Sequence, residues 1–492
     1  LTDKTGGSVA RQMTSQMAIP QPMNSAEKKA IVGLGGIFAL RMLGLFMIVP
    51  VFAVYGLQYQ HATPLLVGLA IGVYGLGQAI WQIPFSLLAD KYPRKPMIVI
   101  GLLVFAIGGV ICALATDIYT VIVGRLLAGS GAVSAVVMAL LADITREEHR
   151  TKAMAAMGLT IALSVMVAFG LGPVLTHWIG LKGLFWLTAL AAILAMGLLL
   201  LVPSPTRVLR QLLSTDTNAP NGTIASFRTQ LRDVLAIGDI NRLHVAIFAL
   251  HLTMTAMFTL LPAQFASVLR LSVGGQGLVY LPLLLLGFVI AVPLIVIAEK
   301  HRQMRAVFLA SLAALVVGLA LLAAFGQNSV GLIGGLAVYY IGFNSLEATI
   351  PSWISKRAPV ANKATAMGVN STAQFFGAFV GGALGGVLLT HAAWVGWVCL
   401  GLLAAMALAI IYPIAPPPYL TSLTIALPPD LLSLGETGAR QLWAQNLLAI
   451  NGIDEIVVMA DEGIAYLKLD KNQLDNAARQ QLSHLIGQPL AI

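Results

Sequence analysis

Charge is scarce in this chain. Asp, Glu, Lys and Arg make up 10% of 492 residues, while 58% are hydrophobic and the mean hydropathy is +0.86. A soluble chain of this length could not hide so much apolar surface, so the class is an all-α polytopic membrane protein. Cysteine is nearly absent as well. Cys112 and Cys399 each sit inside an apolar run and no CxxC occurs, which leaves thiolate metal binding and redox chemistry unsupported. The long runs do not alternate apolar with polar residues, which excludes a transmembrane barrel. Also missing are a nucleotide-binding P-loop, an HExxH and a GxSxG. ATP is therefore not expected as a direct energy source, no metal or other cofactor is expected, and nothing points to an enzyme. No signal-peptide pattern precedes the first apolar run, so insertion is expected to use the first span itself.

Twelve apolar runs stand in place of these features. They lie near 30–55, 65–89, 97–116, 118–142, 153–176, 183–202, 243–265, 277–298, 305–325, 329–353, 364–389 and 393–413. Most have the 20 or so residues that an α-helix needs to cross ~30 Å of hydrocarbon. The net charge is +9, but the basic residues cluster in the even-numbered links, and Lys182 and Arg270 are the only ones in the odd-numbered links. That asymmetry reports topology rather than nucleic-acid binding, and it puts both termini in the cytoplasm.

The longest link, from Pro203 to Asn241, divides the spans six and six. The halves repeat weakly at an offset near 210 residues: Ala156-Met157-Gly158 answers to Ala366-Met367-Gly368, and Asp90–Lys95 to Lys300–Arg305. Two six-helix halves are a transporter architecture, with the substrate path between them. The expected domains are a polar lead (1–25), an N-terminal bundle (26–203), a cytoplasmic linker (204–241), a C-terminal bundle (242–415) and a small domain (419–492). The small domain reads β-α-β-β-α, with a further strand possible at Pro489–Ile492, which suggests a ferredoxin-like fold. Its first loop has no Cys, so metal trafficking is rejected.

The densest charge lies in Ser86–Met97, SLLADKYPRKPM, between spans two and three. Here Leu88, Asp90, Lys91, Arg94 and Lys95 resemble the signature of the major facilitator superfamily at that link, with Ser86 and Pro93 in place of its two glycines. The resemblance implies a conformational latch. Asp90 would face the N-terminus of the eleventh helix, near Lys363–Met367, and Arg94 would pair with Asp143 at the inner end of span four. These contacts would hold when the protein opens outward and break when it opens inward. The partner turn, Glu299–Arg305, lacks the acid-to-arginine order, so the latch is expected on one side only.

Two weaker marks follow. Gly124-Arg125 and Gly129 resemble the superfamily's R-x-x-q-G, with Ala128 for the glutamine. Gly172-Pro173 resembles the antiporter motif, with Ala168, Thr176 and His177 in place of three glycines. LRMLGLFMIVPV in span one, LADITREEHRTKAM after span four, FNSLEA in span ten and the small final domain look like the YajR-type transporters of that superfamily. That resemblance implies a bacterial inner-membrane, proton-coupled, drug-efflux-like antiporter.

Ionisable residues deep in the spans default to functional readings. They are Arg41, Arg125, His251 and Glu347. Arg41 lies roughly 16 Å into its helix and Glu347 roughly 12 Å from the inner end of its own. Glu347 is the only acid placed well inside, and it is expected to take up and release the coupling proton, with Arg41 and His251 as candidate partners. A structural ion pair of Glu347 with Arg41 or Arg125 is the alternative. Gln78, Gln82, Gln264, Asn344, Asn370 and Gln374 are expected to line the path with Arg125. The chain thus reads as a secondary active transporter exporting a small amphipathic substrate. The other class considered is a membrane sensor with 419–492 as its output.

Overall fold

The computed structural model describes residues 22–203, 224–359, 362–419, 421–428, 437–459, 464–470 and 473–486. Four spans begin where a short polar side chain meets an apolar run. Asn24, Thr63, Asp117 and Asn328 each accept a backbone N–H of the first turn and so satisfy one of a helix's orphan donors. Among the described residues, eleven helices are long and apolar enough to cross a membrane, and one of them, Lys152–Leu201, has 50 residues. At 1.5 Å per residue it would extend roughly 75 Å, far more than one crossing needs. It breaks at Gly180, where φ is 68° and ψ 176°, so it supplies spans five and six, and the total is twelve as expected.

Two spans are discontinuous. Span one runs Ser25–Phe46, breaks at 47–48 ahead of Pro50, and resumes over Val49–Tyr55. Span four runs Ile118–Ser130 and Ser134–Ile144. Its break at 131–133 is closed by Ala132 and Val133, whose N–H groups reach the carbonyls of Ser130 and Gly131 at 2.9 Å.

The chain forms two compact units. The first holds spans one to six together with residues 254–284 and 378–396. Spans two and eleven touch there through backbone: a Cβ at Gly68 would collide with Gly382 and Gly386, and one at Gly72 with Phe379. Phe169 of span five stacks on Phe258 of span seven, with ring centres 4.3 Å apart and planes 7° apart.

The second unit holds residues 223–253, 285–377 and 397–492. In it, Arg305 donates to the carbonyls of Ile414 (2.8 Å) and Tyr412 (3.1 Å), and Tyr419 Oη accepts the N–H of Met304 (3.1 Å). The segment leaving span twelve is thereby strapped to the turn before span nine. Beyond it, β1 (Thr421–Ala426), β2 (Ile453–Met459) and β3 (Ile464–Leu469) form an antiparallel sheet in the order β1-β3-β2. Helices Thr437–Leu448 and Asn476–Ile486 follow β1 and β3. This is the β-α-β-β-α core expected of a ferredoxin-like domain. Its centre is Ile425, Trp443, Leu447, Leu467 and Leu482. The further strand considered at 489–492 lies outside the described residues.

One element was not anticipated. Ile224–Leu235 is helical, within what reads as linker. Its twelve residues span about 18 Å, too short and too polar to register as a crossing.

Candidate functional site

In the first half, the buried polar cluster is built around Arg41, which is 2% exposed. Its Nη1 donates to Ser134 Oγ (2.5 Å), and its Nη2 lies 2.9 Å from Gln78 Oε1, 3.0 Å from Tyr74 Oη and 3.2 Å from the Gly131 carbonyl. Gln78 in turn donates to Gln82 Oε1 (3.2 Å). The contacts fall on the break in span four, where a half-helix ends at Ser130 and presents the negative end of its dipole. The guanidinium therefore compensates carbonyls, not a carboxylate. Gly129 makes this possible, because a Cβ there would collide with Tyr74 and push span two away.

Arg125, 3% exposed, has a similar role one turn earlier. It donates to the carbonyls of Ala70 and Ile71 in span two and sits 5.8 Å from the centre of the Phe52 ring. Both arginines lie in the first unit and Glu347 in the second.

Glu347 belongs to a cluster in the second half, contributed by spans seven, ten and eleven. Gln374 Nε2 donates to Glu347 Oε1 (3.3 Å) and lies 2.8 Å from His251 Nε2. His251 Nδ1 is 3.2 Å from the carbonyl of Ile247. The set is self-consistent with a neutral imidazole protonated on Nδ1, whose Nε2 accepts from the amide. Glu347 Oε2 is 3.6 Å from His251 Nε2, beyond hydrogen-bond reach, and has no hydrogen-bond partner among the described residues. The carboxylate side chain is 42% exposed and the histidine 9%. Spans seven and eleven approach closely at Gly377, where a Cβ would collide with the Phe248 carbonyl. That closeness brings Gln374 and His251, each three residues along its own helix, into contact. Thr253 and Tyr339, 3.0 Å apart at their hydroxyls, tie span seven to span ten.

The remaining path candidates are dispersed. Gln264, in the first unit, and Asn370, in the second, are buried with side-chain oxygens lacking a partner among the described residues. Asn344 donates to Tyr340 of its own helix (2.8 Å), a packing contact.

At the charged turn, Arg94 Nε is 3.3 Å from Asp143 Oδ2, and Arg94 Nη1 donates to the Ala89 carbonyl (2.6 Å). Lys95 Nζ donates to the Val202 carbonyl. The side chains of Asp90 and Lys91 lie outside the described residues. Arg94 and Asp143 both lie in the first unit. Pro93 at the glycine position has a simple account. Tyr92 (φ −108°, ψ 159°) and Pro93 (φ −57°, ψ 134°) form a two-residue extended turn, and no left-handed residue is needed.

The second half carries an ion pair at the corresponding end of its second span. Glu299 pairs with Lys356 Nζ and accepts from Ser352 Oγ (2.6 Å). Span two ends at Lys91 and span eight at Lys300, so Glu299 is the counterpart of Asp90. The second turn is one residue longer and passes through Arg302 at φ 55°. An ungapped alignment therefore misses the acid.

A second repeated pair was also missed. Glu27 takes Arg146 Nε and its backbone N–H at 3.1 and 3.0 Å, and Asp239 takes Arg357 Nη2 at 2.7 Å. Each joins the start of a half's first span to the end of its fourth span or the link just after it. The signal was the shared spacing, since 27 to 239 and 146 to 357 both lie near the 210-residue offset.

Two six-span halves, each with ion pairs at corresponding helix ends and a polar cluster among its spans, define a repeat-built helical transporter. A sequence profile described as Major Facilitator Superfamily matches residues 34–382 and, in a second placement, 246–451. The chain belongs to the Major Facilitator Superfamily. It is 40% identical over 465 residues to the inner membrane transport protein YajR of Escherichia coli K12, covering 93% of this chain and 99% of that protein. An uncharacterised transporter of Buchnera aphidicola from Acyrthosiphon pisum is 34% identical over 361 residues, covering 73% of this chain and 90% of that protein. Among solved structures, a D-xylose–proton symporter superposes with a TM-score of 0.63 at 16% identity, over 80% of this chain and 98% of that one. As a member of this superfamily, the chain is a membrane transporter working by alternating access.

Proposed function

We propose that the chain is a proton-coupled antiporter that exports small amphipathic molecules across a bacterial inner membrane, with both termini in the cytoplasm. The observation that carries the reading is the Glu347–Gln374–His251 cluster. A carboxylate with one unpartnered oxygen stands beside an imidazole, bridged by an amide that can turn over. A proton arriving at Glu347 removes the demand on the Gln374 amide. A proton passed on to His251 Nε2 makes that atom a donor, so the amide must rotate to offer its oxygen. The imidazolium then faces Glu347 Oε2 across 3.6 Å as an ion pair. Protonation therefore has two packings to choose between, on three helices that include span eleven. Span eleven also forms the seam with span two through Gly382 and Gly386. That continuity supports linking the proton to the seam.

The inner-membrane location is taken from the similarity to the inner membrane transport protein of Escherichia coli. Export is favoured by Gly172-Pro173, the retained part of the antiporter mark. Gly172 packs against the broken segment of span one, where a Cβ would collide with Met47. The test is Glu347→Gln in proteoliposomes. Substrate-driven proton movement is expected to fall at least tenfold, while the purified protein keeps its helical content and melting temperature. Unchanged proton movement in a folded variant rejects the coupling role.

A further inference from the structure

The helix Ile224–Leu235 takes no part in the transport site, and its surface has a distinctive composition. Phe227, Leu231 and Val234 recur at helical spacing, and Leu235 is 47% exposed. Arg228 and Arg232 are exposed beside them, and with Leu231, Leu235 and Ala236 they form one open face of the helix. That face combines an apolar strip with two guanidinium groups. Asp233 lies 3.8 Å from Arg232 and offsets part of that charge, which leaves Arg228 as the stronger of the two.

The helix is held in place. It ends in a turn at 236–237, where Asn241 Nδ2 donates to the Leu235 carbonyl (2.6 Å), and span seven starts at Gly238. Thr365 Oγ1 donates to Gln230 Oε1 (2.9 Å), which pins the helix to the first turn of span eleven. A short basic amphipathic helix fixed at the end of a membrane span is positioned at the headgroup level of the bilayer.

We propose that this helix face is a binding site for an anionic phospholipid of the adjacent leaflet. The guanidinium groups of Arg228 and Arg232 take the phosphate headgroup, and Leu231 and Leu235 take the upper acyl chain. Guanidinium geometry matches phosphate oxygens, and the exposed apolar strip beside it gives preference to a lipid over a free anion. Through Gln230 and Thr365, the bound lipid braces the helix that carries Gln374.

The test uses the full-length purified protein titrated with phosphatidylglycerol or phosphatidylcholine, with bound lipid counted by native mass spectrometry. The parent is expected to prefer phosphatidylglycerol. Arg228→Gln with Arg232→Gln is expected to weaken that binding about tenfold or more and to leave phosphatidylcholine unchanged. Arg228→Lys with Arg232→Lys, which keeps the charge, is expected to retain most of it. Leu231→Ser with Leu235→Ser is expected to lower it without removing either arginine. Phosphatidylglycerol affinity within twofold of the parent in the glutamine variant would overturn the site. So would equal binding of both lipids by the parent, or full displacement by glycerol phosphate at the same concentration. No readout depends on transport, so failure here is separable from failure of the proton-coupling reading.

Discussion

Arg41 is costly to place in a membrane, and its surroundings explain how it is tolerated. Four oxygens from spans two and four surround its terminal nitrogens, and one of them is the Gly131 carbonyl at the helix break. Removing the guanidinium would leave buried acceptors unpaired and the half-helix end uncompensated. Hydrogen bonds to a charged group contribute roughly 1.5–3 kcal/mol each, and unsatisfied partners add their own penalty. Arg41→Ala is therefore expected to destabilise the solubilised protein by about 3 kcal/mol or more, seen as a large drop in melting temperature. Arg41→Lys, which restores charge without the planar fork, is expected to recover only part of it. Equal melting temperatures for Arg41→Ala and the parent would show that the break does not need its cation. Asp117, in the loop before span four, is a simpler case. The Thr120 hydroxyl and N–H hold its carboxyl below the ordinary carboxylate range. A depressed value stabilises the fold above the unfolded-state pKa and loses that contribution as pH falls through the folded one. Asp117→Asn, which caps without ionising, is expected to flatten the acid side of the stability profile, checked by melting temperature against pH.

Among the elements, the seam between spans two and eleven is the one that alternating access must open and close. It relies on small residues because only backbone can approach backbone this closely in lipid. Gly72→Val would drive two methyls into Phe379. The variant is expected to disfavour the closed seam and hold the transporter open at that end. A single cysteine placed at that end should then react severalfold faster with an impermeant maleimide than in the parent. Unchanged reactivity in a folded Gly72→Val protein would count against the seam as a gate. The sequence made the spans legible but not the seam. Length and hydropathy mark a crossing, and they do so even through the merged helix 147–201, where Gly180 is the separator. Which glycines meet across helices depends on long-range packing. Gly68 and Gly72 look no different from Gly101 in a list of residues. The same limit explains the site. Glu347 stood out as a lone acid, and Gln374 and His251 stood out as polar, but their convergence depends on Gly377. Arg41 was legible as unusual, yet its partner was a helix break, which carries no side-chain signature.

The molecule as a whole is a duplicated bundle with a third part attached, and the attachment is specific. The segment leaving span twelve returns to the turn that is the second copy of the charged link between spans two and three. Arg305 holds two of its carbonyls, and Tyr419 lies 5.5 Å from the Arg302 guanidinium and 5.6 Å from Lys356 Nζ, ring centre to cation. Lys356 is also the partner of Glu299, so the strap and that ion pair share a cation. The first copy of the turn is shorter by one residue and carries a single related contact, from Lys95 to the Val202 carbonyl at the end of span six. The domain beyond the strap has its own core, centred on Trp443, Leu447 and Leu482, and does not need the bundle to bury it. A truncation and a substitution should therefore behave differently. Ending the chain just after Tyr419 keeps the strap, and it is expected to leave both flux and melting temperature near those of the parent. Tyr419→Ala in the intact chain removes the ring from between two cations and the acceptor from the first N–H of span nine. Cation–π contacts of this kind contribute roughly 0.5–2 kcal/mol each. That change is expected to lower the melting temperature by a few degrees and to speed hydrogen exchange over residues 299–306, while the small domain stays folded. Loss of flux in the first truncation with the strap intact would make the domain itself part of the transport cycle, and would favour a sensing role for it over an accessory one.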